Sequence, residues 1–333
     1  MVNRIDLDSP MRAEFNLRKA FVIDPSIQLL PTWIEGYQVG EGAFRLEHRE
    51  IAFPGLEIAY FFTENTFADR YTIPAGETHF AFPLSPHRPT LSWAGHVNPS
   101  IHAIAVHCSN VEYISVQPPG WSGIYICMND ELVAALDLLP ETFWEDSRDP
   151  KRAVLPVDPG RFSQFREFVR SWFLGVQNMA DRGPISPQVA ATLREQFLHP
   201  FRELLDRTFI DRGDRKLFKP SRRSWIVESV CAIVEADLAS TPTTEELCQQ
   251  LGVSPRAMQY AFKELMGVGV AQYIRARKLN AVREELIRRR GENVTVWAIA
   301  ASYGFGHAGR FSEQFRRQFG EYPSAVLRSG DRH

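Results

Sequence analysis

The side chains best suited to chemistry lie in a stretch of helical spacing that follows Ser254. Arg can donate two hydrogen bonds to O6 and N7 of guanine, Gln pairs in the same way with adenine, and an aromatic ring contacts the methyl group of thymine. We therefore predict that this stretch reads the major groove of double-stranded DNA. Its predicted DNA contacts are Arg256, Gln259, Tyr260 and Lys263.

A second stretch of the same kind begins near His307. Its cation, Arg310, offers the best contact with a base or a phosphate. The carboxylate of Glu313 repels phosphate unless it accepts a hydrogen bond from cytosine N4. We therefore expect this second stretch to contribute less sequence specificity than the first. Its predicted DNA contacts are Ala308, Gly309, Arg310 and Glu313.

Both stretches belong to an internal repeat. Residues 243–253 align with residues 295–305 at an offset of 52, and residues 258–267 align with residues 311–320 at an offset of 53. In each copy a short amphipathic segment ends at a glycine that can adopt the left-handed conformation, and an apolar residue fills the turn. A capping residue then begins a second helix. Each copy therefore has the sequence form of a helix-turn-helix.

One predicted helix, from Val270 to Arg290, separates the two copies. Its 21 residues at about 1.5 Å each extend about 31 Å, which is close to the roughly 34 Å of one turn of DNA. We therefore expect the second helix of each copy to enter successive segments of the major groove on one face of the duplex. Arg277 and Lys278 on the connecting helix are predicted phosphate contacts.

Residues 225–327 resemble the DNA-binding domain of the AraC/XylS family of bacterial transcription regulators. The resemblance implies a transcription regulator with Arg256, Gln259 and Tyr260 on its first reading helix. Activation, through contact with RNA polymerase, is the outcome typical of the family, and repression is the alternative. The whole chain is more loosely similar to regulators of the ethanolamine-utilisation type, and no matching residue identifies an effector. The matching motifs are Leu247–Val253, Phe262–Lys263, Tyr273–Ile274, Arg277–Leu279, Ile299–Ala300, Tyr303–Phe305, Phe315–Arg316, Phe319–Gly320 and Pro323–Ser324.

The N-terminal part combines extended segments with a later helical region. Short apolar segments separated by Pro and Gly lie between residues 44 and 128, a pattern typical of a barrel or a sandwich. The family resemblance makes this region a cupin-like β-barrel with flanking helices, so the expected fold class is α+β with an all-α C-terminal domain. The predicted strands cover residues 44–48, 56–62, 79–84, 101–106 and 113–116, and the predicted helices cover residues 131–139, 161–176 and 188–209.

These patterns predict three units along the chain. Residues 1–211 form the domain expected to sense an effector and to dimerise, residues 212–224 form a polar linker, and residues 225–328 form the DNA-binding domain. The charge distribution agrees with this division, because residues 222–333 contain 16 Lys and Arg against 12 Asp and Glu. Residues 1–221 contain 22 Lys and Arg against 28 Asp and Glu. A basic domain joined to an acidic one suits a protein that binds a polyanion.

The composition is that of an ordinary folded protein, with 44% hydrophobic and 23% charged residues. Apolar runs such as Ile58–Phe62 are far shorter than the roughly 20 residues of a membrane span. The first ten residues contain acids where a signal peptide needs an apolar core. We therefore predict a cytoplasmic protein that does not contact a membrane. Its expected partners are double-stranded DNA, RNA polymerase, a small-molecule effector and a second copy in a homodimer.

Enzyme classes are the alternative hypotheses. A cupin-type enzyme fused to a helical domain would need converging ligands, typically beginning with an H-x-H pair, and the sequence has no such pair. A DNA-repair methyl acceptor would need a metal-activated thiolate, and Cys108 and Cys127 have no ligand partners at suitable spacing. We therefore predict no catalytic residue, no metal site and no cofactor. The effector-binding residues stay unassigned.

Overall fold

The computed structural model describes residues 16–22, 34–85, 92–93, 96–97, 101–140, 143, 153–212 and 222–328. Up to residue 212 these residues form two β-sheets and three helices, and from residue 222 they are helical. Most of the predicted linker, residues 213–221, lies outside the described residues. Its last three residues form the first turn of a helix, and Ser224 is buried there.

The strands are short, as the spacing of turn residues predicts. Pro54 and Gly55, for example, separate two strands of eight residues, and Gly55 has a φ of 71°, in the left-handed region. The strands are β1 (Asn16–Val22), β2 (Ile34–Gln38), β3 (Leu46–Phe53), β4 (Leu56–Thr63), β5 (Phe67–Thr72), β6 (Glu77–Pro83), β7 (Ser92–Trp93), β8 (His96–Val97), β9 (Ala103–Cys108), β10 (Glu112–Gln117), β11 (Trp121–Asn129) and β12 (Ala153–Pro156).

These strands pair in two antiparallel sheets. One has the order β1-β3-β4-β11-β6-β9-β12, and the other has the order β2-β5-β10-β7-β8. The sheets face each other through side chains such as Phe61 of β4 and Phe67 of β5, whose ring centroids are 5.8 Å apart. Within the described residues no strand pairing joins one sheet to the other, so the predicted barrel is not closed. The two sheets are held by side-chain packing instead, which is the arrangement of a sandwich.

Three helices follow the sheets: α1 (Asp130–Ala135), α2 (Pro159–Arg182) and α3 (Pro187–Arg212). Asn129 caps α1 by accepting a hydrogen bond from the amide of Leu132. Both α2 and α3 contribute buried residues to the largest apolar core, which they share with the seven-stranded sheet. The ring of Phe80 on β6, for example, lies 5.1 Å from that of Phe201 on α3. No helix among the described residues has both the length and the apolar character to cross a bilayer.

The helical part that begins at residue 222 contains two apolar cores. Its helices are α4 (Arg222–Ala236), α5 (Thr244–Leu251), α6 (Pro255–Leu265), α7 (Val270–Arg288), α8 (Val296–Ser302), α9 (Ala308–Phe319) and α10 (Pro323–Arg328). The first core includes residues from α4, α5 and α6 and from the five-stranded sheet. The second core includes residues from α8, α9 and α10. The long helix α7 contributes to both cores.

Candidate nucleic-acid interface

The first helix pair, α5 and α6, is defined by local capping interactions. Thr243 and Glu246 form a capping box at the start of α5, and Gly252 ends that helix with a φ of 61°. Ser254 then caps α6 by accepting a hydrogen bond from the amide of Ala257, with Pro255 in the first helical position. The predicted helix-turn-helix is therefore present in the first copy of the repeat.

One face of α6 is buried and the other is exposed. Met258, Phe262 and Leu265 are fully buried between α6 and its neighbours. The side chain of Tyr260 is 57% exposed, and the guanidinium of Arg223 lies 4.7 Å from the centre of its ring. The outer face of α6 is therefore available to a large partner. The four residues predicted to contact DNA are all on it: Arg256, Gln259, Tyr260 and Lys263.

The second helix pair, α8 and α9, repeats this arrangement, but α9 begins without a side-chain cap. Thr295 caps α8 through the amide of Ala298, and Gly304 has a φ of 80° in the turn. His307 occupies the capping position of α9 but makes no side-chain hydrogen bond there. The outward residues of α9 are also exposed, and they include the predicted contacts Ala308, Gly309, Arg310 and Glu313.

The connecting helix α7 belongs to both units. Tyr273 packs against Phe262 of the first pair with ring centroids 5.4 Å apart, and Leu286 lies in the core of the second pair. The helix has 19 residues, so at about 1.5 Å each it extends about 28 Å, slightly less than the sequence predicts. Because both cores share one rigid helix, the two helix pairs are fixed relative to each other.

The two predicted phosphate contacts on α7 have different surroundings. Lys278 is partly exposed, whereas Arg277 is only 2% exposed. The guanidinium of Arg277 donates to both carboxylate oxygens of Glu235, at 2.5 and 2.6 Å, and to Glu35 at 3.0 Å. It also lies 3.9 Å from the centre of the Tyr37 ring. In this structure Arg277 therefore joins α7 to the sheet domain and has no access to a phosphate.

Polar contacts between the sheet domain and the helical domain centre on Gln38 at the end of β2. Its main-chain amide donates to the side-chain oxygen of Asn280 at 3.2 Å, and Asn280 donates back to the Gln38 carbonyl at 2.9 Å. Gln318 of α9 donates to the same carbonyl at 3.0 Å. These contacts were not predictable from the sequence, because partners 242 and 280 residues apart leave no local pattern.

Two cavities accompany this arrangement. A cavity of about 40 Å³ lies between the sheets, with His48, Asp69 and Tyr125 in its walls, and it is small for an organic ligand. A cavity of about 420 Å³ lies between the five-stranded sheet and helices α4 and α7. Small-molecule sites commonly measure about 300 to 1,000 Å³, so only the second has the size for a metabolite.

The described residues contain no group of three or more His, Cys, Asp and Glu side chains arranged to hold a metal ion. All four cysteines are buried thiols. Burial raises the pKa of the Cys108 thiol to about 12, which disfavours the reactive thiolate.

Two helix-turn-helix units on one rigid connecting helix define a class of DNA-binding domain. Residues 247–329 match the protein family described as a helix-turn-helix domain. This match and the relatives described next confirm the resemblance seen in the sequence. The C-terminal domain is an AraC/XylS-type helix-turn-helix domain.

The related sequences are bacterial regulators. The XylDLEGF operon transcriptional activator 1 of Pseudomonas putida is 35% identical over 114 residues, which are 34% of this chain and 34% of that protein. The probable thc operon regulatory protein of Rhodococcus erythropolis is 29% identical over 104 residues, which are 31% of each chain. The chain thus covers about a third of the length of these relatives.

Comparison with solved structures gives matches of low similarity. The AraC-like transcriptional activator CuxR has a TM-score of 0.38 and 14% identity, with 85% of this chain and 100% of that chain covered. Apo ToxT from Vibrio cholerae has a TM-score of 0.31 and 11% identity, with 82% and 97% covered.

Proposed function

We propose that this protein is a transcription regulator that binds a specific DNA sequence with α6 and α9. The observation that carries the proposal is the pair of helix-turn-helix units, each with an exposed polar face and both fixed to α7. A helix of this kind fits the major groove, and its first turns meet the base edges. The 28 Å connector supports the placement of both helices on one face of the duplex.

The proposed contacts divide between bases and phosphates. Arg256 and Gln259 have the chemistry for bidentate contacts with guanine and adenine, and Tyr260 supplies an apolar contact with thymine. Lys263 and Lys278 supply phosphate contacts. Arg277 reaches a phosphate only in an arrangement that opens its ion pairs with Glu35 and Glu235, so this contact requires movement of the sheet domain.

The second reading helix contributes fewer direct contacts. Arg310 is the positively charged residue near the start of α9. The carboxylate of Glu313 weakens the attraction of this helix for phosphate. Ala308 and Gly309 allow the backbone of α9 to approach the DNA closely, because their side chains are small. We propose that α6 carries most of the sequence specificity and that α9 fixes the orientation of the domain.

The sheet domain supplies control in this proposal. It contacts α7 and α9 through Arg277, Asn280 and Gln318, so a ligand that alters the sheet domain also alters the energy of the helical arrangement. The relatives named as operon activators support an activator that contacts RNA polymerase in the cytoplasm. We further propose that the protein acts as a homodimer. The relatives offer no support for the alternative of a cupin-type enzyme, since they are named as regulators.

Selection of binding sites from a random pool of duplex DNA tests the proposal. The full chain should enrich one motif with two parts spaced by about 10 base pairs. Binding should weaken steeply between 50 and 200 mM salt, with a slope that reports the number of phosphates contacted. Enrichment of no motif at moderate salt would contradict the proposed function. Footprinting of the selected duplex then locates both half-sites.

A further inference from the structure

The first turn of α4 lies against the exposed face of α6. The guanidinium of Arg223 donates through Nη1 to both carboxylate oxygens of Glu264, at 3.0 and 2.8 Å. It also lies 4.7 Å from the centre of the Tyr260 ring, in a cation–π contact. Tyr260 and Glu264 are four residues apart on α6, so they lie on the same side of the helix. Arg223 is thereby fixed beside a residue that we propose contacts DNA.

The contacts that fix Arg223 leave most of its hydrogen-bond donors unused. Within the part of the chain that the structure describes, only its Nη1 atom takes part in hydrogen bonds. The side chain is 48% exposed. The Nε and Nη2 atoms form an edge with two parallel donors, which matches two oxygens of a phosphate. A donor edge with the geometry for phosphate is therefore held at a fixed position beside α6.

The exposed face of α6 has two edges, which differ in charge. At one edge Gln259 lies beside the start of α7, because a Cβ at Gly269 would be 2.6 Å from its Nε2 atom. Residues 266–272, at this edge, contain no charged side chain. At the other edge Tyr260 lies beside α4, whose first turn contains two arginines against the single carboxylate of Glu264. The α4 edge is therefore the positively charged one.

A helix in the major groove has a phosphate backbone on each side. The groove is about 12 Å wide and an α-helix with its side chains is about 10 to 12 Å across, so elements that flank the helix face the backbones. If Tyr260 contacts a base edge as proposed, a guanidinium 4.7 Å from the centre of its ring lies at the wall of the groove. The anionic groups at that wall are phosphates.

We propose that Arg223 is a further DNA-binding residue, which contacts a backbone phosphate beside α6 through Nε and Nη2 and holds the ring of Tyr260 in place. The inference rests on the proposed function, because it takes α6 as the reading helix. Phosphate contacts fix the register of a protein on the duplex and carry no sequence information themselves. Arg223 therefore adds affinity for any duplex, and through Tyr260 it supports discrimination at one base pair.

The salt dependence of DNA binding by the full chain tests the phosphate contact, with fluorescence anisotropy on a random-sequence duplex and on the selected site. Each phosphate contact contributes about 0.9 to the slope of log K against log salt. Arg223→Gln should reduce the slope by about 0.9 and should weaken binding about fivefold or more at moderate salt. Arg202→Gln removes an equally exposed arginine, at 49%, from α3 and should change neither. An unchanged slope in Arg223→Gln would overturn the proposal.

A charge-neutral double variant separates a direct contact from a general effect of charge. Arg223→Gln combined with Glu264→Gln removes one positive and one negative charge, so the net charge of the protein stays the same. Its slope should still be about 0.9 smaller than that of the wild type, because the donor edge is lost. A wild-type slope in this double variant would overturn the phosphate contact.

A double-mutant cycle tests the link between Arg223 and Tyr260. Arg223→Gln and Tyr260→Ala should reduce discrimination at the same base pair, and the two changes together should reduce it no further than Tyr260→Ala alone. Independent losses at different base pairs would overturn the positioning role. A reduced slope in a chain that selects no motif would contradict only the proposed function. Selection of a motif by a chain whose slope does not respond to Arg223→Gln would contradict only this inference.

Discussion

Gln38 and Gln318 exchange hydrogen bonds between the two domains, each side-chain amide donating to the main-chain carbonyl of the other residue. The distances are 2.8 Å from Gln38 Nε2 and 3.0 Å from Gln318 Nε2. Gln318 also donates to the carbonyl of Gly40 at 3.0 Å. Strand β2 is thereby bound to the inner side of α9, the helix whose outer side faces solvent.

Gln38 and Gln318 link the sheet domain to the proposed reading helix α9 through buried polar groups. Gln38 is 0% exposed and Gln318 is 5% exposed. A buried polar contact is favourable while it is satisfied and costly when one partner is removed. When the domains separate, water replaces the lost partners, so these hydrogen bonds add little to the net cost of separation. A contact of this kind suits an interface that opens and closes.

Gln318→Ala is predicted to loosen the contact between the domains. It removes one of two donors to the carbonyls of Gln38 and Gly40, which keep hydrogen bonds from Asn280 and from the Gln38 side chain, so the expected loss is about 0.5 to 1.5 kcal/mol. Hydrogen exchange should become faster in β2 and α9, and the thermal midpoint should fall. Gln314→Ala, on the same helix but outside this hydrogen-bonded group, is the control. Unchanged exchange in β2 would contradict the importance of the pair.

The helix-turn-helix units were predictable because their determinants are local. Gly252, Ser254 and Pro255 act within a few residues of their own positions, and the structure assigns each the role that the sequence predicts. The repeat added independent support, since Thr295 and Gly304 recur at the expected positions. Buried positions on α6 and α9 followed from the helical period of apolar residues.

The sheet domain was less predictable because its strands depend on distant partners. Strand β5, whose residues 67–72 are Phe-Ala-Asp-Arg-Tyr-Thr, lacks an apolar alternation, yet Asp69 is buried in the sheet. The sequence pattern therefore did not indicate β5, and the absence of pairing between the sheets also depends on long-range register. The environment of Arg277 was missed for the same reason, since Glu35 is 242 residues away. Nothing near Arg277 in the sequence indicates its burial.

Gln259→Ala is predicted to reduce DNA affinity for the selected site by about 1 to 3 kcal/mol and to relax discrimination at one base pair. The amide has bidentate geometry for adenine, and its loss affects one position only. Fluorescence anisotropy against a set of single-base variants of the site measures both effects. Gln250→Ala, exposed on α5 of the same unit, should change neither. Intact discrimination in Gln259→Ala would remove this residue from the reading face.

Asp69 is predicted to make folding stability depend on pH. Burial raises the pKa of its carboxyl group to about 7, against hydrogen bonds that include one from Gln117. The folded state therefore holds a proton that the unfolded state has released, and Asp69 lowers stability as pH rises from about 4 to about 7. His48, whose pKa burial lowers to about 4, opposes this trend below about pH 6.5. Comparison of the unfolding free energies of Asp69→Asn and the wild type isolates the contribution of Asp69.

Asp69→Asn removes this titration and leaves that of His48. The free energy of unfolding of Asp69→Asn minus that of the wild type should increase by a few kcal/mol, about 2 to 4, between pH 4 and pH 7, and should then stay level. Asp206→Asn, exposed on α3, should show no such increase. Urea unfolding at half-unit pH intervals measures the difference. A flat difference for Asp69→Asn would mean that the buried carboxyl group titrates normally.

Two glycines of the second unit are predicted to respond to alanine in opposite directions. A Cβ at Gly309 meets no atom within 4 Å, so Gly309→Ala should stabilise α9 by up to about 1 kcal/mol. Gly304 has a φ of 80°, where a side chain costs about 1 to 2 kcal/mol, so Gly304→Ala should destabilise the unit. Thermal unfolding of both variants measures the difference. If both substitutions stabilised the protein, the turn at Gly304 would not require the left-handed conformation. The second helix-turn-helix would then lack the feature that ends α8.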